Sequence, residues 1–306
     1  MIVVLGAFDG FHKGHQALFD AASKMALRLE DSWGVVTFSP HPQAVLSSDG
    51  FTFLFTERER EILARFFGIP ELVRIQFTRK LAEMEPEDFV CFLEERFFIR
   101  GLVVGEDFRF GRLRKGNASM LKELAHVRGW QTSIVPQVSF DGDKISSSKI
   151  RVLVSLGDVR TAGNMLGYPF FLNGSVSHGE GRGRALGFPT ANIVPCTGKI
   201  LPDRGVYAGA AAVEREIFPA AINIGFNPTF EGIRSLRVEA HIVGFKGDIY
   251  NKKITIFFLE KIRQESKFLK VEELVEQIKK DVKATTDYWK REKKFKRVIS
   301  VLGMHV

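Results

Sequence analysis

The first half of the chain alternates between two periods. Short strand-like runs at residues 1–5, 34–38, 72–75, 102–104 and 131–135, several of them apolar and β-branched, are separated by stretches of helical spacing, near 16–29, 57–67, 86–97 and 119–128. An apolar run with no polar face is buried on both sides, as a strand is in a parallel sheet covered by helices. Strand and helix in strict alternation predict a doubly wound parallel α/β sheet of the Rossmann type over residues 1–156. Ligands of such sheets bind beyond the strands' C-terminal ends, so polar residues gathered there are candidates for a site.

From Tyr168 the texture changes to short apolar strands punctuated by Gly, Pro and Asn, at 171–176, 206–213, 218–224, 237–243 and 253–262, with one strong helix near 271–283. That pattern predicts an antiparallel β-barrel with a C-terminal helix over residues 168–306. A short helical linker is expected at 157–167. A chain of 306 residues has room for two such cores. No apolar run approaches the roughly 20 residues of a membrane span, and Met1 leads directly into strand-like sequence, so a cytoplasmic protein is expected. Cys91 and Cys196 stand far apart and suggest neither a disulfide framework nor a zinc site; both are expected to be buried small apolar residues. The formal charge of +8 favours anionic partners: nucleotides, phosphorylated metabolites or nucleic acid. The basic run at 290–297 reads as a solvated helix extension.

Four strings follow apolar runs of the first half. Gly6-Ala7-Phe8-Asp9-Gly10-Phe11-His12-Lys13-Gly14-His15 joins the first strand to a helix, whose N–H groups and dipole would face an anion. Two histidines three apart are also compatible with a metal pair or with polar residues at a helix start. Ser39-Pro40-His41-Pro42 is either a ligand loop or a rigid turn. Gly105-Glu106-Asp107-Phe108-Arg109-Phe110-Gly111 again sets polar groups at a strand end, and Ile145-Ser146-Ser147-Ser148-Lys149-Ile150-Arg151 has more hydroxyls than an N-cap requires.

In the second half, Gly181-Arg182-Gly183-Arg184-Ala185-Leu186-Gly187-Phe188-Pro189-Thr190-Ala191-Asn192 combines backbone freedom, fixed positive charge and the hard oxygens of Thr190 and Asn192. It reads as a phosphate loop beside an Mg²⁺ site, or as a flexible surface loop. Between Leu236 and Ile242, alternation puts Arg237, Glu239 and His241 on one face, as a site or as an ordinary charged strand.

Taken together and in order, these strings resemble the bacterial bifunctional riboflavin kinase/FAD synthetase family. Its nucleotidylyltransferase half carries H-x-G-H, F-x-P-H-P, G-x-[DN]-F-x-F-G and I-S-S-[ST]-x-I-R; its flavokinase half carries G-R-x-L-G-F-P-T-A-N and V-E-x-H. Asn223-Ile224-Gly225 with Pro228-Thr229-Phe230, and Ile262-Arg263 with Lys267-Phe268, resemble further family strings. Departures fall at Ala7, Ser39, Asn117, Gly244 and Lys246.

The resemblance implies ATP-dependent phosphorylation of riboflavin to FMN, then adenylylation of FMN to FAD with release of pyrophosphate. It implies Glu239 as general base, Thr190 and Asn192 on Mg²⁺, and Gly181, Arg182, Gly183 and Arg184 around phosphate. In the first half it implies charge stabilisation by His12, His15 and Arg151, with nucleotide contacts from Gly6, Phe8, Asp9, Gly10, Gly14, Asp107, Ser147 and Ser148. Phe38, Pro40, Pro42, Phe108 and Arg263 would meet flavin. Riboflavin, FMN and ATP are the expected partners, with neither membrane nor nucleic acid. Two rivals remain: a kinase alone with a degenerate first domain, and a basic nucleic-acid-binding protein that retains nucleotide folds. Each half carries its own phosphate loop, so a fragment from about Leu166 is expected to keep the kinase.

Overall fold

The computed structural model describes residues 1–47, 50–179, 181–227 and 235–303; Pro228-Thr229-Phe230 lie outside them. The chain forms two compact units, Met1–Thr52 with Leu63–Ser147, and Phe53–Ile62 with Ser148 onward.

The first unit is built on a parallel sheet of β1 (Ile2–Leu5), β2 (Trp33–Ser39), β3 (Leu72–Gln76), β4 (Gly101–Gly105) and β5 (Gln131–Val135), in the order β3-β2-β1-β4-β5. Every residue of β1 is buried, because helix Lys13–Leu29 covers one face while Phe89, Val90, Leu93 and Leu121 pack against the other. The chain winds outward from β1 through β2 to β3, then returns to β4 on the opposite side. The ends of β1 and β4 therefore flank the crevice where the winding reverses.

The second unit is a closed antiparallel barrel of β6 (Phe171–Ser177), β7 (Ala191–Val194), β8 (Gly205–Val213), β9 (Glu216–Asn227), β10 (Ser235–Ile242) and β11 (Lys253–Arg263). Around the barrel they run β6-β7-β10-β9-β8-β11 and close back on β6, which leaves no free edge. Helix Val271–Arg291 extends beyond the expected 271–283. The basic residues of the run 290–297 are exposed; the run closes this helix at Arg291, then enters a second helix, Lys294–Gly303, which buries Phe295, Ile299 and Leu302 and turns its lysines outward. The cysteines are a correction, because both are exposed. Cys91 lies on the outer face of helix Pro86–Glu94, whose Phe89, Val90 and Leu93 take the core positions.

The segment Phe53–Ile62 packs as part of the barrel unit. Phe53 N–H donates to Gly198 O, and Ile200 N–H donates to Phe53 O, each at 3.0 Å. Thr56 and Glu59 form a reciprocal cap on helix Glu57–Phe66, with Glu59 N–H on Thr56 Oγ1 (3.1 Å) and Thr56 N–H on Glu59 Oε2 (2.7 Å). The same carboxylate accepts from Asn173 N–H at 2.8 Å and pairs with Lys199 Nζ at 2.8 Å; neither side chain is more than 1% exposed. Lys199 Nζ also donates to Leu54 O and lies 4.1 Å from the Phe55 ring centre.

Candidate active sites

In the first unit, the loop after β1 is held in a conformation most residues avoid. Phe8 (φ 47°) and Phe11 (φ 34°) lie in the left-handed region, with Gly10 at 105° between them. Both rings are buried and pack against each other and against Phe19, so burial holds the strained turn. A Cβ on Gly6 would lie 2.8 Å from the Phe8 ring. Thr37 Oγ1 donates to Ala7 O at 3.0 Å, and Ser147 Oγ donates to Asp9 O at 2.6 Å. The serine string thus meets the histidine string across most of the unit's sequence.

His12 caps the helix: its Nδ1 accepts the N–H of His15 at 3.4 Å, and the two rings stack at 3.6 Å over Gly14, where a Cβ would lie 3.2 Å from the His12 ring. Nδ1 being the acceptor, the neutral ring carries its proton on Nε2. Burial pushes His12 down to about 4, against the pull of the Asp107 carboxylate. Burial, then the neighbouring His12, holds His15 well below the usual imidazole range. Near neutral pH these are uncharged rings at the positive end of a helix, able to donate hydrogen bonds to an anion. His15 Nδ1 is buried with no partner among the described residues.

Beside this loop lies a cavity of about 1260 Å³ lined by Ala7, Phe38, Pro42, Phe77, Phe89, Asp107 and Phe108, with Arg79, Arg109, Arg112 and Arg114. Of the residues expected to meet flavin, Phe38, Pro42 and Phe108 are in its wall; Pro40, joined to Ser39 by a cis peptide bond, is not. Asp107 pairs with Lys144 at 2.9 Å. No motif marks the arginines, although three of them fall within Arg109-Phe110-Gly111-Arg112-Leu113-Arg114. Ser148 and Arg151 belong to the second unit, where Arg151 Nη2 donates to Ser148 Oγ at 3.2 Å.

The barrel carries a row of cross-strand neighbours. Asn192 on β7 is opposite Glu239 on β10, Glu239 is opposite Asn223 on β9, Asn223 is opposite Val206 on β8, and Val206 is opposite Arg263 on β11. All of them line a cavity of about 340 Å³, together with Arg182, Gly183, Arg237 and His241. The expected alternation is therefore present. Arg237 Nη1 lies 3.2 Å from Glu239 Oε1, and His241 Nδ1 lies 2.9 Å from Pro189 O. A second cavity, of about 490 Å³, is lined by Arg184, Asp248 and the stacked pair His178 and Tyr250. The two cavities share Gly181, Thr190 and Asn192.

Gly181-Arg182-Gly183-Arg184 is not an open loop. Gly181, at φ 71°, starts a single helical turn, Arg182–Ala185, which gives one arginine to each cavity. Phe188 N–H then donates to Gly183 O at 2.8 Å and leads the chain into Thr190. Asn192 Oδ1 is buried with no hydrogen-bond partner among the described residues. Gly244, where the resembling family commonly has Asp, sits at φ 81°, a conformation glycine adopts freely.

Two family models match the two halves of the chain. An FAD synthetase family model matches residues 1–149, and a riboflavin kinase model matches residues 166–289. The bifunctional riboflavin kinase/FMN adenylyltransferase of Listeria monocytogenes is 34% identical over 94% of this chain and 92% of its own; that of Bacillus subtilis is 35% identical with the same coverage. The chain belongs to this family. The rival readings, a kinase alone and a nucleic-acid-binding protein, yield to that membership in the bifunctional riboflavin kinase/FMN adenylyltransferases. A crystal structure from Streptococcus pneumoniae, described as a macrolide-efflux protein, shares the fold throughout, with a TM-score of 0.86, 35% identity and 93% of both chains covered. No described helix of the present chain is long and apolar enough to cross a membrane.

Proposed function

We propose that the chain phosphorylates riboflavin in the barrel and adenylylates the resulting FMN in the parallel-sheet unit, with residues 1–156 as adenylyltransferase, 157–167 as linker and 168–306 as kinase, in the cytoplasm. The observation that carries the kinase reading is the meeting of two cavities at Thr190 and Asn192, with a carboxylate directly opposite Asn192. Riboflavin occupies the cavity of Glu239 and Arg263, and ATP the cavity of Arg184 and Tyr250. Glu239 accepts the proton of the 5′-hydroxyl as that oxygen attacks the γ-phosphate. Arg182 and Arg184, spaced by Gly183, hold phosphate charge from either side. The Thr190 hydroxyl and the unpartnered Asn192 Oδ1 are hard oxygens suited to Mg²⁺, which when bound neutralises charge on the transferring phosphates.

In the other unit the FMN phosphate is itself the nucleophile and attacks the α-phosphate of ATP, so no protein nucleophile is needed. His12 and His15 donate hydrogen bonds to phosphate as neutral rings. Gly6, Phe8, Asp9, Gly10 and Gly14 shape the turn that receives it, Ser147 braces that turn, and Asp107 serves the nucleotide. Phe38, Pro42 and Phe108 take the flavin ring. Incubation with riboflavin and Mg-ATP, with products separated over time, is expected to give FMN first and FAD afterwards. Absence of FAD even from added FMN would sink the adenylyltransferase assignment.

A further inference from the structure

The Arg263 guanidinium lies in the wall of the Glu239 cavity beside helix Val271–Arg291, whose Asp281 lies in the same wall and holds it. Asp281, 5% exposed, receives Nε at 3.0 Å and Nη2 at 2.8 Å, a two-pronged pair. Gln277, one turn earlier, donates to the same carboxylate at 2.8 Å. Nη1 donates to Gln264 O at 3.0 Å, and the Phe268 ring centre lies 5.9 Å from the guanidinium carbon. The same helix contributes Leu274, Ile278 and Val282 to the cavity wall, one residue per turn. A carboxylate that grips a guanidinium edge at two points fixes its plane as well as its position. A carboxylate this deeply buried is also costly without its cation, so Arg263 cannot swing away without stranding Asp281. One N–H on each of Nη1 and Nη2 is left without a partner among the described residues.

We infer that Asp281 is a positioning residue of the kinase site: from the C-terminal helix it fixes the Arg263 guanidinium toward the acceptor-bearing edge of a planar flavin ring, and flavin affinity depends on that pair. The inference rests on the reading of this cavity as the riboflavin site. A tie that served only to pin helix to strand would weaken both substrates together with stability. Positioning weakens riboflavin alone.

The test uses the full chain, with riboflavin binding read by quenching of flavin fluorescence and the KM for each substrate measured separately. Asp281→Asn keeps the shape but loses the charge; riboflavin Kd and KM are expected to rise roughly tenfold. The ATP KM should hold, and so should FMN adenylylation. Asp281→Glu, which keeps the charge, should recover part of the loss. Arg263→Met/Asp281→Leu removes both charges together and so strands neither; it should melt near the wild type and bind riboflavin as weakly as Asp281→Asn. Unchanged riboflavin binding in folded Asp281→Asn or in the double variant overturns the inference, as does a parallel rise in both KM values that tracks a fall in Tm. If Arg263→Met alone leaves riboflavin binding intact, the reading of the cavity itself fails, rather than only the part given to Asp281.

Discussion

Glu239 stands between two amides, opposite Asn192 on one neighbouring strand and Asn223 on the other, with Arg237 two residues away on the same face. Amides orient a carboxylate without competing for a proton, so the carboxylate itself is the group to test. Glu239→Gln keeps its reach but cannot accept a proton, and riboflavin phosphorylation should fall roughly 10²–10⁴-fold. FMN adenylylation by the same variant should be untouched. Near-normal phosphorylation would make Glu239 an ordinary strand carboxylate. The histidines make a prediction of another kind. His12 is held at about 4 in the fold against 6.5 for the free side chain, so between those values the unfolded chain binds the proton and the folded one does not. Stability from keeping His12 neutral is therefore complete above pH 6.5 and is lost as the pH falls to about 4, a difference of about 3 kcal/mol. Denaturant unfolding across that window should show a steeper loss for the wild type than for His12→Gln. Parallel slopes would mean that the ring titrates normally in the fold.

At the scale of the element, the turn Arg182–Ala185 matters for what it leaves room for. A Cβ on Gly183 would stand 2.5 Å from Phe188 O and 3.3 Å from Thr190 Oγ1, so Gly183→Ala must push Thr190 from its place between the cavities. Alanine is the better helix former by about 1 kcal/mol, so the turn itself gains while the site loses. Kinase turnover should drop on the order of a hundredfold, with FAD formation from added FMN unchanged; a kinase as active as the wild type would show that the neighbours give way freely. Much of this architecture is legible in the sequence, because a strand such as Gly101–Gly105 is an apolar run bounded by polar punctuation. Strand β7 is not, since Ala191–Val194 has only 4 residues and follows a proline and a helical turn, too short for a period to register. The sequence marks Thr190 and Asn192 as hard oxygens near a proline; their place in the wall shared by two cavities depends on how that short strand pairs. The arginines around the larger cavity escaped because a basic stretch reads equally well as solvated surface.

For the whole molecule, the informative segment is Phe53–Ile62, which the sequence presents as part of the first half and the fold includes in the barrel unit. Nothing in Thr56-x-x-Glu59 reveals this, because a capping box starts a helix wherever that helix goes to pack. The buried pair of Glu59 and Lys199 then bears on whether the halves can be parted. Lys199→Met leaves a buried carboxylate without its cation and should cost roughly 3–5 kcal/mol, whereas Lys199→Met/Glu59→Gln keeps the cap, removes the stranded charge and should recover most of that loss. A fragment from Leu166 has Lys199 but lacks Leu54, Phe55 and Glu59, so the expectation of a freely separable kinase changes. It should phosphorylate riboflavin yet melt well below the barrel's transition in the full chain. A peptide spanning residues 53–62 should raise that melting temperature, and the same peptide carrying Glu59→Gln should raise it less. If the fragment melts with the full chain's barrel and ignores both peptides, the segment lies on the barrel without stabilising it.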